Sequence, residues 1–314
     1  MAPEEAMRGR VVLIEVWESS CINCLRNLPV LSQLNRRYSA FGLLVLGIHS
    51  SEFSFTASRI AVERAVRRFG LDFPIAADSR KSFWNKWEVP GWPTTYLLDD
   101  RGMLASMHTG ELTASTLEKS VRALLIERQP GLRFPDPPAP SQDPYAPECG
   151  FVTPDIFTTP SKDFLLNGDN LRRRDTVNYA DPGPSRSEGT FYLRGPWAWL
   201  EDGLERGSGA SLASIGITYR ANEVYAVLVN TGASPQEVEI RQDGRPLQDA
   251  VRGRDVEILA DGRSIIRLGE SRLYYLVVNS DLGRHDLELF PSAAGFQVHS
   301  FSFGNRCQTS FPHK

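Results

Sequence analysis

The sequence predicts an α/β domain followed by an all-β antiparallel sandwich, and three observations carry that expectation. Over residues 1–128, short apolar runs of buried-strand type alternate with segments of helical spacing. Proline then crowds a stretch that neither a helix nor a central strand accepts. The remainder consists of short strand-like runs between turn dipeptides, without a convincing helix. The 314 residues suit two domains of about 150 residues each. A composition of 41% hydrophobic and 23% charged residues is that of ordinary globular domains, which excludes a disordered tail, a collagen-like rod or a small disulfide scaffold.

In the first half, Val11–Trp17 (VVLIEVW) reads as a buried strand. Leu25, Leu28, Leu31, Leu34 and Tyr38 then recur at three-to-four spacing and predict a helix over 22–38. After the breaker Gly42, Leu43–Ile48 is a second buried run, and Ile60, Val62, Ala65, Val66 and Phe69 repeat the helical pattern over 59–69. A short strand at Phe73–Ala77, a helix at Ser79–Trp87 and a strand at Thr94–Asp99 follow. The turn Asp99-Asp100-Arg101-Gly102 leads to a strand at Met103–Thr109, and a helix at Ala114–Arg128 closes the unit. This alternation predicts a mostly parallel central sheet with helices on its faces.

Residues 129–150 read as an extended proline-rich linker. The β-rich domain is expected over 151–307, with a short tail at 308–314. Its strand-like runs are Ile215–Tyr219, Val224–Asn230, Val238–Gln242, Val256–Leu259, Ser264–Leu268, Arg272–Asn279, His285–Phe290 and Phe296–Phe303. Asp243-Gly244 and Asp261-Gly262 supply hairpin turns. About eight such strands predict a jelly-roll-like antiparallel sandwich.

The balance of 35 Lys+Arg against 38 Asp+Glu leaves a formal charge of −3, which argues against nucleic acid as a partner and against an anionic membrane surface. Arg172-Arg173-Arg174 is a local basic cluster of the kind that is ordinarily solvated. No stretch approaches the roughly 18 consecutive apolar residues of a membrane span. The N-terminus has neither the basic nor the apolar region of an export signal, so a cytoplasmic location and a trimmed N-terminus both stay open.

Cys21-Ile22-Asn23-Cys24 carries the chemistry. A Cys-x-x-Cys between a buried strand and a helix places the first sulfur at a helix N-terminus, where free N–H groups and the macrodipole stabilise a thiolate. Cys21 is then the nucleophile. Cys24, one turn on, is the resolving thiol that attacks a mixed disulfide formed on Cys21. The rival reading is half of a zinc site. That would need two further Cys or His ligands at matching spacing, and His49 and His108 stand isolated in the sequence. No metal or other cofactor is expected beyond the cysteine pair itself. Further along, Val89-Pro90-Gly91-Trp92-Pro93-Thr94 puts Pro93 at the mouth of a strand, where local sequence leaves a cis and a trans bond both open.

These segments resemble the thioredoxin-like superfamily, and within it TlpA-like and DipZ-type thiol–disulfide proteins. The residues that carry the resemblance are VVLIEVWESSCINC (11–24), GLLVLGIHSSEF (42–53) and VPGWPTTYLLD (89–99), within a match that covers most of 8–126. The resemblance implies a thioredoxin-like fold, the roles of Cys21 and Cys24, and a cis-proline at Pro93 whose preceding residue, Trp92, meets the substrate. Ser50–Val89 resembles the strand–helix insertion of this branch. Val152-Thr-Pro-Asp-Ile, Gly195-Pro-Trp197, Arg272-Leu-Tyr-Tyr-Leu-Val, Gly283-Arg-His285 and Phe301-Ser-Phe-Gly304 resemble the carbohydrate-binding-module-like sandwich of DipZ-type proteins. Such proteins also place a membrane-embedded electron-transfer domain ahead of the redox domain, which has no counterpart in these residues. The resemblance therefore implies an extracytoplasmic location and an upstream dithiol electron donor, either a separate partner or a removed segment.

Glu15, six residues before Cys21, stands where thioredoxins have a buried aspartate. It is expected to accept the Cys24 proton, with a pKa raised by burial, unless it points out from an exposed strand face. Trp17 is expected to pack beside the site, and Glu18 and Glu52 to be simply exposed, with the edge of a substrate groove as the alternative. His49 matches the family's His-Ser/Thr pair without a physical role read from sequence. The Ile22-Asn23 dipeptide lacks the proline of ordinary thioredoxin, which leaves the redox poise open. Cys149 and Cys307 bracket the second half, as a bridge or as two free thiols.

The expected activity is thiol–disulfide exchange, reducing protein disulfides or mixed disulfides. A thiol peroxidase is the weaker rival, because Ser19-Ser20-Cys21 lacks the Thr and Arg that peroxidatic sites use. The rival from another class is a binding module. In it the sandwich takes a glycan or protein ligand on Trp197, Trp199, Tyr192, Tyr274 or Tyr275, and the redox domain is ancillary.

Overall fold

Every side chain of Val11–Trp17 (β1) is buried, because helices cover both faces of the sheet it centres. The computed structural model describes residues 7–137, 146–159, 165–168, 175–209 and 212–308. Among them, 7–137 with 307 and 308 form one compact unit, and the remainder forms a second.

The first unit runs β1, α1 (Ile22–Tyr38), β2 (Leu43–His49), α2 (Arg59–Phe69), β3 (Ile75–Ala77), α3 (Ser82–Lys86), β4 (Thr94–Leu98), β5 (Leu104–Thr109) and α4 (Ala114–Arg128). The sheet order is β3-β2-β1-β4-β5. β1, β2 and β3 are parallel, whereas β4 is antiparallel to β1 and β5 to β4. The sheet is thus mixed rather than mostly parallel. The turn after Asp99 is too short for a crossover, so β5 can only return antiparallel to β4.

α1 buries Leu25, Leu28, Leu31, Leu34 and Tyr38, the predicted stripe, and continues through Pro29. In α2, the Ser58 hydroxyl caps the Ala61 N–H and Gly70 closes the helix at φ 60°. α3 is shorter than its apolar pattern suggested. The Asp78 carboxylate accepts from the Phe83 and Trp84 amides, each at 3.0 Å, which sets the start of the turn later than Ser79. Beyond α4 the proline-rich stretch begins packed on the helices. Phe134 lies edge-on to Tyr38 and Phe41 at 5.4 and 5.2 Å, and Arg122 covers its ring.

The second unit comprises β6 (Ile156–Phe157), β7 (Thr176–Tyr179), β8 (Thr190–Trp199), β9 (Leu204–Arg206), β10 (Ser214–Asn230), β11 (Gln236–Gln242), β12 (Arg245–Pro246), β13 (Glu257–Ile258), β14 (Ser264–Leu268), β15 (Arg272–Pro291) and β16 (Phe296–Gly304). All their pairings are antiparallel. β10 and β15 each join two runs that the sequence separates. The polar residues at Arg220–Asn222 and Ser280–Arg284 fall at or opposite β-bulges, which bend the ladder without ending it. β8 was not anticipated as a strand. It supplies Phe191, Leu193, Trp197 and Trp199 to a core shared with Ile215, Ile217, Leu276, Leu289 and Phe301.

Trp197, Trp199, Tyr192, Tyr274 and Tyr275 are all at most 2% exposed, so none is a surface stacking platform. Aromatic area is more favourably placed in such a core than in water. Neither Cys149 nor Cys307 is a free thiol. The expectations for Arg172–Arg174, for linker residues 138–145 and for tail residues 309–314 lie outside the described residues. No helix among the described residues is long and apolar enough to cross a membrane.

Gly195 in β8 has φ 76°, and a Cβ there would collide with the Leu212 carbonyl oxygen. Gly195→Ala is therefore expected to destabilise the protein by about 2–4 kcal/mol, read as a lowered urea midpoint. An unchanged midpoint would refute the packing described for β8.

Candidate active site

β1 ends at Trp17, and a three-residue turn delivers Cys21 to the N-terminus of α1. Cys21 has extended backbone (φ −89°, ψ 109°) and is the N-cap: its sulfur accepts the Cys24 N–H at 3.2 Å. Cys21 and Cys24 are joined as a disulfide with Cα atoms 5.3 Å apart. Cys21 is partly exposed and Cys24 is fully buried. Only the first sulfur is accessible from solvent, and it sits where helix amides stabilise a thiolate.

Glu15 lies beneath α1, fully buried. The antiparallel register of β1 with β4 sets Thr95 directly opposite, and the Thr95 hydroxyl donates to Glu15 Oε2. Asn27 Nδ2 donates to Oε1 at 2.8 Å, while Asn27 Oδ1 accepts the Leu112 N–H at 2.9 Å. Asn27 is three residues after Cys24, so both project from one face of α1, the face that meets Glu15. Burial raises the Glu15 carboxyl from 4.5 to about 7, with the Thr95 and Asn27 hydrogen bonds opposing the rise. A carboxyl with that pKa both takes up and releases a proton near neutrality.

The Trp92–Pro93 peptide is cis and opens β4. The Trp92 indole N–H donates to the Ser50 carbonyl at 2.8 Å. Its ring meets Trp84 at 4.1 Å, and the Lys81 ammonium lies over both rings at 4.8 and 5.1 Å. Trp17 is fully buried and meets the edge of His49 at 4.9 Å, which is a packing position.

Glu18 does not edge a groove. It is fully buried, because the amide and hydroxyl of Ser20 and the hydroxyl of Ser19 turn inward to its carboxylate. Glu52 is half-buried. Sequence reasoning missed Asn27, Thr95 and the buried ion pair of Arg26 with Glu111 at 2.8 Å. Asn27 had one available signal, since a polar residue flanks the apolar stripe one turn after Cys24.

The first unit has a thioredoxin-like fold and cysteine pair, and the sequence is similar to thiol–disulfide proteins of the TlpA/DipZ type. Residues 3–125 match the family described as Redoxin, and residues 153–304 match the one described as Thioredoxin like C-terminal domain. The chain is 29% identical to Protein DipZ of Mycobacterium tuberculosis over 300 residues, covering 96% of this chain and 40% of DipZ. It thus spans less than half the length of that relative. The thiol-disulfide oxidoreductase ResA of Geobacillus kaustophilus is 30% identical over 117 residues, 37% of this chain and 64% of ResA. A solved structure titled a putative thiol:disulfide interchange protein DsbE, from Chlorobium tepidum, is 25% identical with a TM-score of 0.36, covering 39% of this chain and 84% of that one.

The raised Glu15 pKa has a consequence for stability. An acid held above its unfolded value contributes stability that is full below 4.5 and is lost as pH rises through about 7. Glu15→Gln removes that dependence. Between about pH 4 and about pH 8 the parent should lose about 3 kcal/mol relative to the variant, measured by urea unfolding of the oxidised proteins. Parallel pH profiles for the two proteins would contradict the assignment.

Proposed function

We propose that this chain reduces protein disulfides, or mixed disulfides on proteins, by dithiol exchange at Cys21 and Cys24. The observation that carries this reading is the asymmetry of the pair: an accessible sulfur at a helix N-terminus, and a buried one on the helix face above a carboxyl poised near pH 7.

In the first step the Cys21 thiolate attacks one sulfur of the substrate disulfide. A Cys21–substrate S–S bond forms, and the other substrate sulfur leaves as a thiolate that takes a proton from solvent. In the second, Glu15 takes the Cys24 proton as that sulfur attacks Cys21. The Cys21–Cys24 bond forms, the remaining substrate sulfur leaves as a thiolate that takes a proton from solvent, and Glu15 releases its proton to solvent. The substrate gains two electrons and two protons, and the protein keeps the disulfide. A dithiol donor must return both electrons. The Trp92 backbone is the edge against which an extended substrate segment would pair. The cysteine pair is itself the redox group, so the reading needs no further cofactor.

Two variants test the sequence of steps. Cys24→Ala should accumulate a mixed disulfide on Cys21 that Cys21→Ala cannot form, read by mass spectrometry after acid quenching. Glu15→Gln should leave the first attack unchanged and slow Cys24-dependent release by at least about tenfold in rapid mixing. If both steps slow equally, Glu15 is not the base for Cys24.

A further inference from the structure

A carboxylate is buried three residues before the nucleophile, at the end of a helix that favours negative charge on the sulfur. Glu18 Oε2 accepts the Ser20 N–H at 2.6 Å and the Ser20 hydroxyl, and Oε1 accepts the Ser19 hydroxyl at 3.3 Å. The Glu18 carbonyl accepts the Cys21 N–H at 3.3 Å. The carboxylate is therefore folded back within a tight turn, against the amide of the residue that precedes Cys21.

His49, at the end of β2, closes the other side. Its Nε2 accepts the Ser19 N–H at 3.2 Å and stands 3.7 Å from Glu18 Oε1. A ring nitrogen that accepts this bond carries no proton there. Burial holds the imidazole below its ordinary pKa, with the Glu18 charge opposing. His49 is thus a neutral lock on the turn and not a counter-ion to Glu18. Trp17 braces its ring, and the Arg26 guanidinium on α1 is engaged by Glu111. Glu18 is held by dipoles, and its negative charge remains to act on its neighbour.

Resting on the oxidoreductase reading above, we propose that Glu18 sets the redox poise of the Cys21–Cys24 pair, its buried charge disfavouring the Cys21 thiolate and so making the couple more reducing. The physical reason is that the disulfide carries no charge on sulfur while the reduced pair does. A fixed negative charge therefore penalises the reduced state only, against the helix N-terminus that favours it. Glu18 acts through the thiolate and is a positioning and tuning residue, not a catalytic one. It also gives His49 a role: by accepting the Ser19 N–H, it helps hold the turn that keeps Glu18 inside.

The test is the equilibrium of the full chain with glutathione, in which protein disulfide and two glutathione thiols give the protein dithiol and one glutathione disulfide. Glu18→Gln should shift this equilibrium about tenfold towards the dithiol, equivalent to about 30 mV for a two-electron couple. It should also move the ultraviolet thiolate titration of Cys21 to lower pH. Glu18→Asp, which keeps the charge, should stay within about threefold of the parent. Ser20→Ala, which strips a donor from the carboxylate, should shift the equilibrium in the opposite direction to Glu18→Gln. If Glu18→Gln does not fold, the sign of the Ser20→Ala shift decides. A reversible parent couple that Glu18→Gln leaves unmoved, or Asp and Gln variants that shift alike, would overturn the proposal alone. A parent with no reversible couple would overturn the oxidoreductase reading and this one with it.

Discussion

The active-site unit depends on one buried carboxyl. Glu15 is drawn under α1 by Asn27 and held across the sheet by Thr95, so a single group ties β1, β4 and the active-site helix together. Burying it costs free energy that two hydrogen bonds only partly offset, and the protein meets the remainder by holding the proton to about pH 7. The same desolvation that weakens the fold at higher pH gives Cys24 a neighbour able to take its proton. Asn27 extends the clamp to the Leu112 amide, at the approach to α4, which fixes the height of the helix over the sheet.

Glu15 and Glu18 lie on the same short segment and have different surroundings. Glu15 sits beneath the helix, on the face of Cys24, with two side-chain donors. Glu18 sits in the turn before Cys21, ringed by an amide and two serine hydroxyls. In the roles proposed above, the first takes the proton of the resolving thiol and the second repels charge on the nucleophile. In a couple whose potential follows thiolate stability, this separation lets proton transfer and redox poise be adjusted by different residues.

In the second unit the aromatic residues that invite a surface role all turn inward. Trp197 and Trp199 belong to the core that β8 and β10 build, and Tyr225 and Tyr275 stack at 4.4 Å while both donate to Glu223. Alternation along a strand tells which residues share a face. It does not tell which face is covered.

The element order of the first unit was legible because its strands are continuous apolar runs and its helices keep a three-to-four stripe, both consequences of local periodicity. The site was legible as far as Cys21, Cys24 and Glu15, because a Cys-x-x-Cys between strand and helix has few other uses. The antiparallel placement of β4 against β1 was not, since strand direction depends on how the chain crosses the sheet. Nor were the long strands β10 and β15, whose polar interruptions look like turns until a partner strand shows them to be bulges. Asn27, Thr95 and the burial of Glu18 escaped for a related reason. A carboxylate's surroundings come from residues 12 to 80 positions away in the case of Glu15, and from the direction of a three-residue turn in the case of Glu18. Sequence by itself located the Cys21–Cys24 pair and the elements that carry it. Tertiary structure alone decided the charges around them, because burial and hydrogen bonding belong to the packed surroundings and not to the residue.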